Sequence, residues 1–495
     1  MENPFDLRAF LAKIEAAGQL ARIPGALLDG EVGALTELNA RRGGPALLFS
    51  GFEGFPEGFR LLSGAMLNPA TLGAALGVEA RGGSLGLLRE TARLMKRAAA
   101  RAGDFPVQYL EDGPIFENVL TGAQVDVTRF PVPLWHPGDG GRYIGTGCVN
   151  VQADPDTGWV NLGTYRSMVH DRRTVTTYVA PGHHGAAIMR KYWARGEPCP
   201  VVLVPGLHPL LFAMGATDAP AGVCEYEWAG AIAGRRAPVV RGRVTGLPIP
   251  AWAEVALEGY IRPGDTAPEG PFGEFTGYYA GGRSSQSCIR VEAVYHRDEP
   301  ILLGSPPGRP PHDYSYFGSM LRSANLMNAM EAAGLPGLCG VWIHEAAASR
   351  CFTAVSIEQQ YPGHASQAAA LPARRAHEQI RRRRGRGHRP DEAGRGGLGH
   401  LHAQRPGAGH RHPARVPEQR GGADAPARGP RRGPRLDRPR PDPRRAALRH
   451  GEGRRVLPRR GDPARAPARR AGKILSPAGP VGKHLRPGAP RGDML

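Results

Sequence analysis

Leu7, Phe10, Leu11, Ile14 and Ala17 recur at helical spacing just after Asp6, a residue suited to cap a helix. Gly18 ends that pattern, and two short apolar runs follow at 20–23 and 45–49. Runs of this length, bounded by Gly and Pro, predict strands. Short strands and helices alternate to about residue 105, which predicts a small α/β domain. From about residue 114 the texture changes. β-like runs at 143–152, 159–165, 174–179, 201–205, 238–244, 253–258 and 288–295 are separated by Gly, Pro and Asp turns. That rhythm predicts a barrel or sandwich. One helix interrupts it over 184–195, and a mixed segment over 299–368 carries a helix near 320–333.

Charge divides the chain more sharply than periodicity does. The 495 residues carry a net charge of +19, which taken alone suggests a nucleic-acid binder. Residues 371–495, however, hold 33 Lys and Arg against 10 Asp and Glu, leaving 31 against 35 in residues 1–370. The basic quarter contains no Phe, Trp or Tyr. It has too little apolar surface to offset chain entropy, so its composition predicts disorder. Without aromatic rings to stack on bases, its contact with nucleic acid would be nonspecific. Cys148, Cys199, Cys224, Cys288, Cys339 and Cys351 are scattered and form no CxxC pair. This fits reduced cytoplasmic thiols better than a disulfide framework or a zinc site. The N-terminus lacks a signal-peptide pattern, and no apolar run reaches the length of a membrane span.

Four groups in the β-rich region have chemical potential. Pro268-Glu269-Gly270-Pro271-Phe272-Gly273-Glu274 sets two acids five residues apart on a backbone read as a shaped loop. Neighbouring carboxylates can be driven to different proton affinities, which suits proton transfer. Asn161 and Arg166 are also five apart, so on an ideal strand they face opposite ways; serving one site requires a bend. Gly182-His183-His184-Gly185 stands at a predicted helix start, where backbone N–H groups attract phosphate. Cys224-Glu225-Tyr226-Glu227 supplies two more acids. Asn, His and Glu are donors that Mn²⁺ or Mg²⁺ accepts beside a phosphate. Each residue also has a plain structural reading as a turn cap, helix-start residue or surface partner. No HExxH or P-loop motif occurs.

Seven ordered motifs carry a more specific resemblance. They are Trp135-His136-Pro137-Gly138-Asp139-Gly140-Gly141-Arg142-Tyr143, Asn161-Leu162-Gly163-Thr164-Tyr165-Arg166, Cys224 to Gly230, Ala253 to Gly259, Pro268 to Glu274 with Thr276-Gly277-Tyr278, Gly308-Arg309-Pro310-Pro311, and Gln360-Tyr361-Pro362-Gly363-His364-Ala365. In order and spacing they resemble the UbiD family of prenylated-FMN-dependent decarboxylases, from the first helix to about residue 367. The resemblance implies an α/β plus β fold. An N-terminal α/β domain (1–110) would precede a central split β-barrel flavin-binding domain (111–320) and the start of a linker and C-terminal domain (321–368). It implies Asn161, His184 and Glu225 as ligands of a divalent metal, Mn²⁺ or Mg²⁺, bridging to the flavin phosphate, with K⁺ as a further ion. Tyr165 and Arg166 join them around the cofactor. Arg166, Glu269 and Glu274 would form the catalytic set, with Glu274 protonating the carbon that loses CO₂. Breaking a C–CO₂⁻ bond at an sp² carbon leaves a carbanion, and a modified flavin is the electron sink that no side chain provides. The implied partners are a small aromatic, heteroaromatic or α,β-unsaturated acid, a flavin prenyltransferase that supplies the cofactor, and further copies of the chain in a homo-oligomer. The rival readings are an FMN-binding oxidoreductase on the same barrel and a nucleic-acid binder acting through the tail.

The family continues past residue 370 with a C-terminal α/β domain whose motifs this chain lacks. In their place stands a low-complexity Arg/Pro/Gly tail, 369–495. Shifting the codon grouping by one base permits a Val run at 381–384. It also permits Asp-Ile-Asp-Pro from 387 and a later Asp-Ile-Asp-Ile-Leu-Arg, in family order. The expectation is a frameshift between about 366 and 381, and a poorly folded or inactive product in the frame as written.

Overall fold

The computed structural model describes residues 3–372, apart from 80, 218, 220 and 348. They belong to one compact unit. The disorder expected of residues 373–495, and the frameshift reading of that stretch, lie outside the described residues.

The first helix, Leu7–Ala16, forms as its periodicity predicts. Asp6 accepts the Arg8 N–H at its start, and Leu7, Phe10, Leu11 and Ile14 are buried. It packs beside a four-stranded sheet ordered Leu20–Pro24, Ala46–Ser50, Arg60–Ser63, Ile301–Gly304. The fourth strand arrives from far along the chain and pairs in parallel with Arg60–Ser63. The first α/β layer is therefore not confined to residues 1–110. Its edge is closed by a fully buried apolar run that local pattern alone would assign to the middle region.

The middle region is a curled nine-stranded sheet. Its path is Tyr143–Gly145, Ser167–Val169, Thr174–Thr177, Ser284–His296, Val255–Glu269, Cys199–Gly206, Val149–Ala153, Val160–Gly163, with Asn118–Thr121 pairing Ser284–His296. Helices His184–Ala194, Pro209–Gly215 and Glu225–Ala233 lie between its strands in sequence. Two long strands, Val255–Glu269 and Ser284–His296, form its central hairpin.

Three expectations are corrected. Pro268 and Glu269 are not in a loop: they end the long strand, paired with Ser285 and Ser284. Pro268 is tolerated because it lies beyond the register shift that separates Ile261 from Thr266, at the far end of the hairpin. The helix expected near 320–333 runs from Asp313 to Ala332, because Ser315 and its neighbours at the start are buried and extend the apolar face. The tail was expected to begin at 369, yet a helix continues over 364–372, with Ala368 buried and Leu371 against the core. Beyond the long helix, Leu338–Ile343 and Thr353–Ile357 pair as a two-stranded sheet.

Candidate active site

The bend that Asn161 and Arg166 require is present. Strand Val160–Gly163 ends, three residues intervene, and Ser167–Val169 begins in a different part of the sheet. Asn161 is 2% exposed. Arg166 projects to the central hairpin, where it meets both expected acids. Its Nε and Nη2 donate to the two oxygens of Glu269 at 2.9 and 3.0 Å, and its Nη1 donates to Glu274 Oε1 at 3.0 Å. A planar guanidinium suits this fork, and a bidentate pair fixes geometry as well as energy. Glu269 is 1% exposed and Arg166 is half-buried, while the Glu274 side chain is 34% exposed. Burial alone would lower the proton affinity of Arg166, but bonding to Glu269 and the charges of both acids raise it. The guanidinium lies 4.5 Å from the Tyr178 ring centre and 5.8 Å from that of Phe272.

Sequence reasoning missed Tyr143. Its hydroxyl donates to Glu269 Oε1 at 2.6 Å, and its ring stacks on Phe272 at 3.7 Å. Burial, followed by the bond to Glu269, raises its hydroxyl well above the ordinary phenol range. It therefore remains a donor. The signal was available, since Tyr143 closes the first of the seven motifs, but strand pattern alone reads it as an apolar wall residue.

The second group gathers around the end of Val160–Gly163. Glu225 opens the helix Glu225–Ala233, and its Oε2 accepts the Leu162 N–H at 2.8 Å. His184 opens the helix His184–Ala194, with its ring edge-on to Trp159 at 5.1 Å. The Gly185 N–H donates to the Tyr165 hydroxyl at 3.1 Å. Tyr165 is buried, and burial pushes its hydroxyl up to about 12. His183 caps the helix and stacks on Tyr165, while His184 is the first helical residue. Two helix N-termini thus converge on one strand end, an arrangement that favours a phosphate.

The donor set fits a hard cation. Glu225 is 2% exposed, and no Lys or Arg pairs with it among the described residues. Burial pushes its carboxyl up to about 7, against the pull of the Leu162 N–H. A divalent ion would supply the missing positive charge, with Asn161 and His184 completing an oxygen and nitrogen set. The thiols are not part of this chemistry. Cys148, Cys199 and Cys224 are buried, and burial raises each to about 12.

Comparison with known proteins agrees with this geometry. Residues 108–310 match the family model of the 3-octaprenyl-4-hydroxybenzoate carboxy-lyase Rift-related domain, and residues 315–378 match that of the C-terminal domain. Pyrrole-2-carboxylic acid decarboxylase of Pseudomonas aeruginosa is 36% identical over 383 residues, 75% of either chain. The prFMN complex of an evolved dimeric form of the UbiD-class enzyme HmfF from Pelotomaculum thermopropionicum superposes with a TM-score of 0.66. It is 26% identical, covering 74% of this chain and 82% of that one. Vanillic acid decarboxylase of Sedimentibacter hydroxybenzoicus in its open form gives 0.67 at 26% identity, over 74% and 76%. The chain is a carboxy-lyase. It belongs to the UbiD family. Among the described residues, no helix is long and apolar enough to cross a membrane.

Proposed function

We propose that this chain catalyses the non-oxidative, reversible decarboxylation of an aromatic, heteroaromatic or α,β-unsaturated carboxylic acid with prenylated FMN. One observation carries the reading: a single guanidinium holds Glu269 through two N–H groups and Glu274 through a third. An ordinary FMN oxidoreductase needs no such set. The 36% identity to a pyrrole-2-carboxylic acid decarboxylase favours a heteroaromatic acid as the first substrate to test.

When bound, the modified flavin supplies the electron sink for the charge left as CO₂ departs. Asn161, His184 and Glu225 would hold Mn²⁺ or Mg²⁺ against its phosphate, with K⁺ as a further ion, and Tyr165, whose hydroxyl accepts the Gly185 N–H, would stand beside them. Glu269, fixed by Arg166 and Tyr143, is the immobile member of the acid pair. Glu274 is the more exposed acid, so this reading assigns to it the proton delivered to the carbon that loses CO₂. In the reverse direction the same carboxylate takes the proton back.

The curled sheet is read as a split β-barrel, and the working protein as a cytoplasmic homo-oligomer that receives its flavin from a prenyltransferase. The tail is read as out of frame, with the C-terminal α/β domain lost. A nucleotide read across codons 360–385 tests that directly. An added or missing base supports it, and the frame as written refutes it. Replacing Glu274→Gln in a frame-corrected chain should abolish turnover while flavin remains bound. Retained decarboxylation removes the role given to Glu274.

A further inference from the structure

The motif from Trp135 to Tyr143 is only partly used by the site described above. Tyr143 holds Glu269, but Gly138, Asp139 and Gly140 have no place in the reaction. They lie along the segment that carries Glu274. The Gly140 N–H donates to Pro271 O at 2.7 Å, and the Tyr279 hydroxyl donates to Asp139 Oδ1 at 3.0 Å. The Asp139 side chain is fully buried, and its other oxygen accepts the His136 N–H at 2.9 Å. The fit is tight at both glycines. A Cβ at Gly138 would lie 2.8 Å from the Tyr279 hydroxyl oxygen, and one at Gly140 would lie 2.0 Å from Gly270 O.

We propose that Asp139 and Tyr279 are positioning residues that latch the 270–283 segment onto the barrel and so hold Glu274 at the reacting carbon. This deepens the role given to Glu274 above and rests on it. The segment leaves the sheet after Glu269 and rejoins it at Ser284. Between those points it turns on itself: the Glu274 N–H donates to Tyr278 O at 2.9 Å, and the Gly277 N–H donates to Glu274 O at 2.8 Å. Gly277 has φ +85°, and a Cβ there would lie 2.6 Å from Arg309 Cα. Gly140 pins the segment before Glu274, and Asp139 pins it after. Tyr278, next to the latch, is 76% exposed. Without the latch, the far side of the turn rests on the close approach at Gly277, on the Arg350 guanidinium 5.4 Å from the Phe275 ring centre and on the bond from Arg166 to a partly exposed carboxylate. A general acid must lie within hydrogen-bond reach of the atom it protonates. A displacement of about 1 Å can cost about a hundredfold in rate. The positioning role is therefore separable from chemistry. Burial, then the bond to Asp139, raises the Tyr279 hydroxyl to about 12. It donates at any working pH.

The test is amide hydrogen exchange over residues 272–280 in the frame-corrected full-length chain, comparing parent, Tyr279→Phe, Gly138→Ala and Tyr278→Phe. Turnover is measured on the same proteins after loading with prenylated FMN. Loss of a hydrogen bond to a charged acceptor should raise exchange of this segment about tenfold in Tyr279→Phe. Gly138→Ala, which displaces the ring, should do the same from the other side. Tyr278→Phe should match the parent. In the latch variants kcat should fall about tenfold with KM and flavin binding unchanged, because the reacting acid is misplaced and the binding surface is not. Parental exchange in both Tyr279→Phe and Gly138→Ala overturns the latch. Raised exchange with parental kcat overturns its link to Glu274. Glu274→Gln separates the two ideas. If it turns over normally, the role of Glu274 fails, whatever the exchange data say of the latch.

Discussion

Glu269, at the end of a strand of the curled sheet, and Glu225, at the start of a helix, are both almost wholly buried, yet their surroundings are opposite. Glu269 receives two N–H groups from Arg166 and a hydroxyl from Tyr143. Glu225 receives the Leu162 N–H, and burial pushes its carboxyl up to about 7. A buried carboxylate is costly unless paired. The protein answers that cost internally at Glu269. At Glu225 it leaves a site whose charge balance suits an added cation. On the proposed reading the first set serves proton transfer and the second holds a cation.

The largest effect should fall on the acid that Arg166 shares. Proton transfer by a positioned side chain contributes about 10²- to 10⁴-fold, so Glu274→Gln should lower kcat by that order with fold and flavin binding intact. Assay of pyrrole-2-carboxylate turnover beside flavin absorbance checks this. Arg166→Ala should act on stability as well, because it leaves Glu269 buried without its charge partner. Removing one member of a buried pair costs about 3–5 kcal/mol, readable by denaturant unfolding. The same change made near Glu225 has no counterpart, since no Arg or Lys stands there among the described residues.

A third buried acid tests whether Glu225 is a special case. Asp313 is 5% exposed at the start of the long helix. It accepts the Met66 N–H at 2.7 Å, and burial pushes its carboxyl up to about 7 from an ordinary 3.8. A carboxyl with a raised proton affinity in the fold binds more protons folded than unfolded across pH 4–7. Its contribution to stability is therefore intact at low pH and is lost as pH rises through that window. About three pH units correspond to roughly 4 kcal/mol at most. Asp313→Asn removes the titration and keeps an oxygen for Met66. Its stability relative to the parent should grow between pH 4 and 8, and a constant difference across that range would refute the assignment.

Metal addition separates the two carboxylates most directly. In the parent, Mn²⁺ at about a hundred times its Kd should add about 2.7 kcal/mol of stability, and a chelator should remove it. Glu225→Gln should abolish that gain, whereas Glu269→Gln should leave it unchanged. An equal gain in Glu225→Gln would move the metal elsewhere.

The sequence pointed to Arg166, Glu269 and Glu274, which the structure brings into contact, but not to what connects them. Spacing made it clear that Asn161 and Arg166 could share a site only across a bend, and the chain supplies one between Gly163 and Ser167. Glu269 was read as part of a loop because Pro and Gly flank it. Its place in a strand depends on pairing with Ser284, fifteen residues away, which local pattern cannot report. Tyr143 and Tyr279 were overlooked for a related reason. An aromatic residue in a β-rich stretch reads as core, and only tertiary structure reveals whose oxygen its hydroxyl meets. The strand Ile301–Gly304 is the same lesson at the level of the fold, an apolar run whose partner, Arg60–Ser63, lies some 240 residues earlier.

The smallest effect concerns a fourth buried acid, Glu254, which is treated in the manner of Glu269. Arg8 donates to both its oxygens at 2.9 Å, and Arg297 reaches it at 3.2 Å. Arg297 is held in turn by Asp6 at 3.0 Å, and Asp6 also caps the first helix through the Arg8 N–H. Asp6→Ala therefore removes a helix cap and one anchor of a guanidinium, but leaves Glu254 paired with Arg8. Loss of the cap should cost about 1 kcal/mol, measured by thermal unfolding. A loss several times larger would mean that Arg297 is placed by Asp6 and that the pairing of Glu254 depends on both arginines. Glu254 would then resemble Glu225 more than Glu269 once a single contact on the surface was cut.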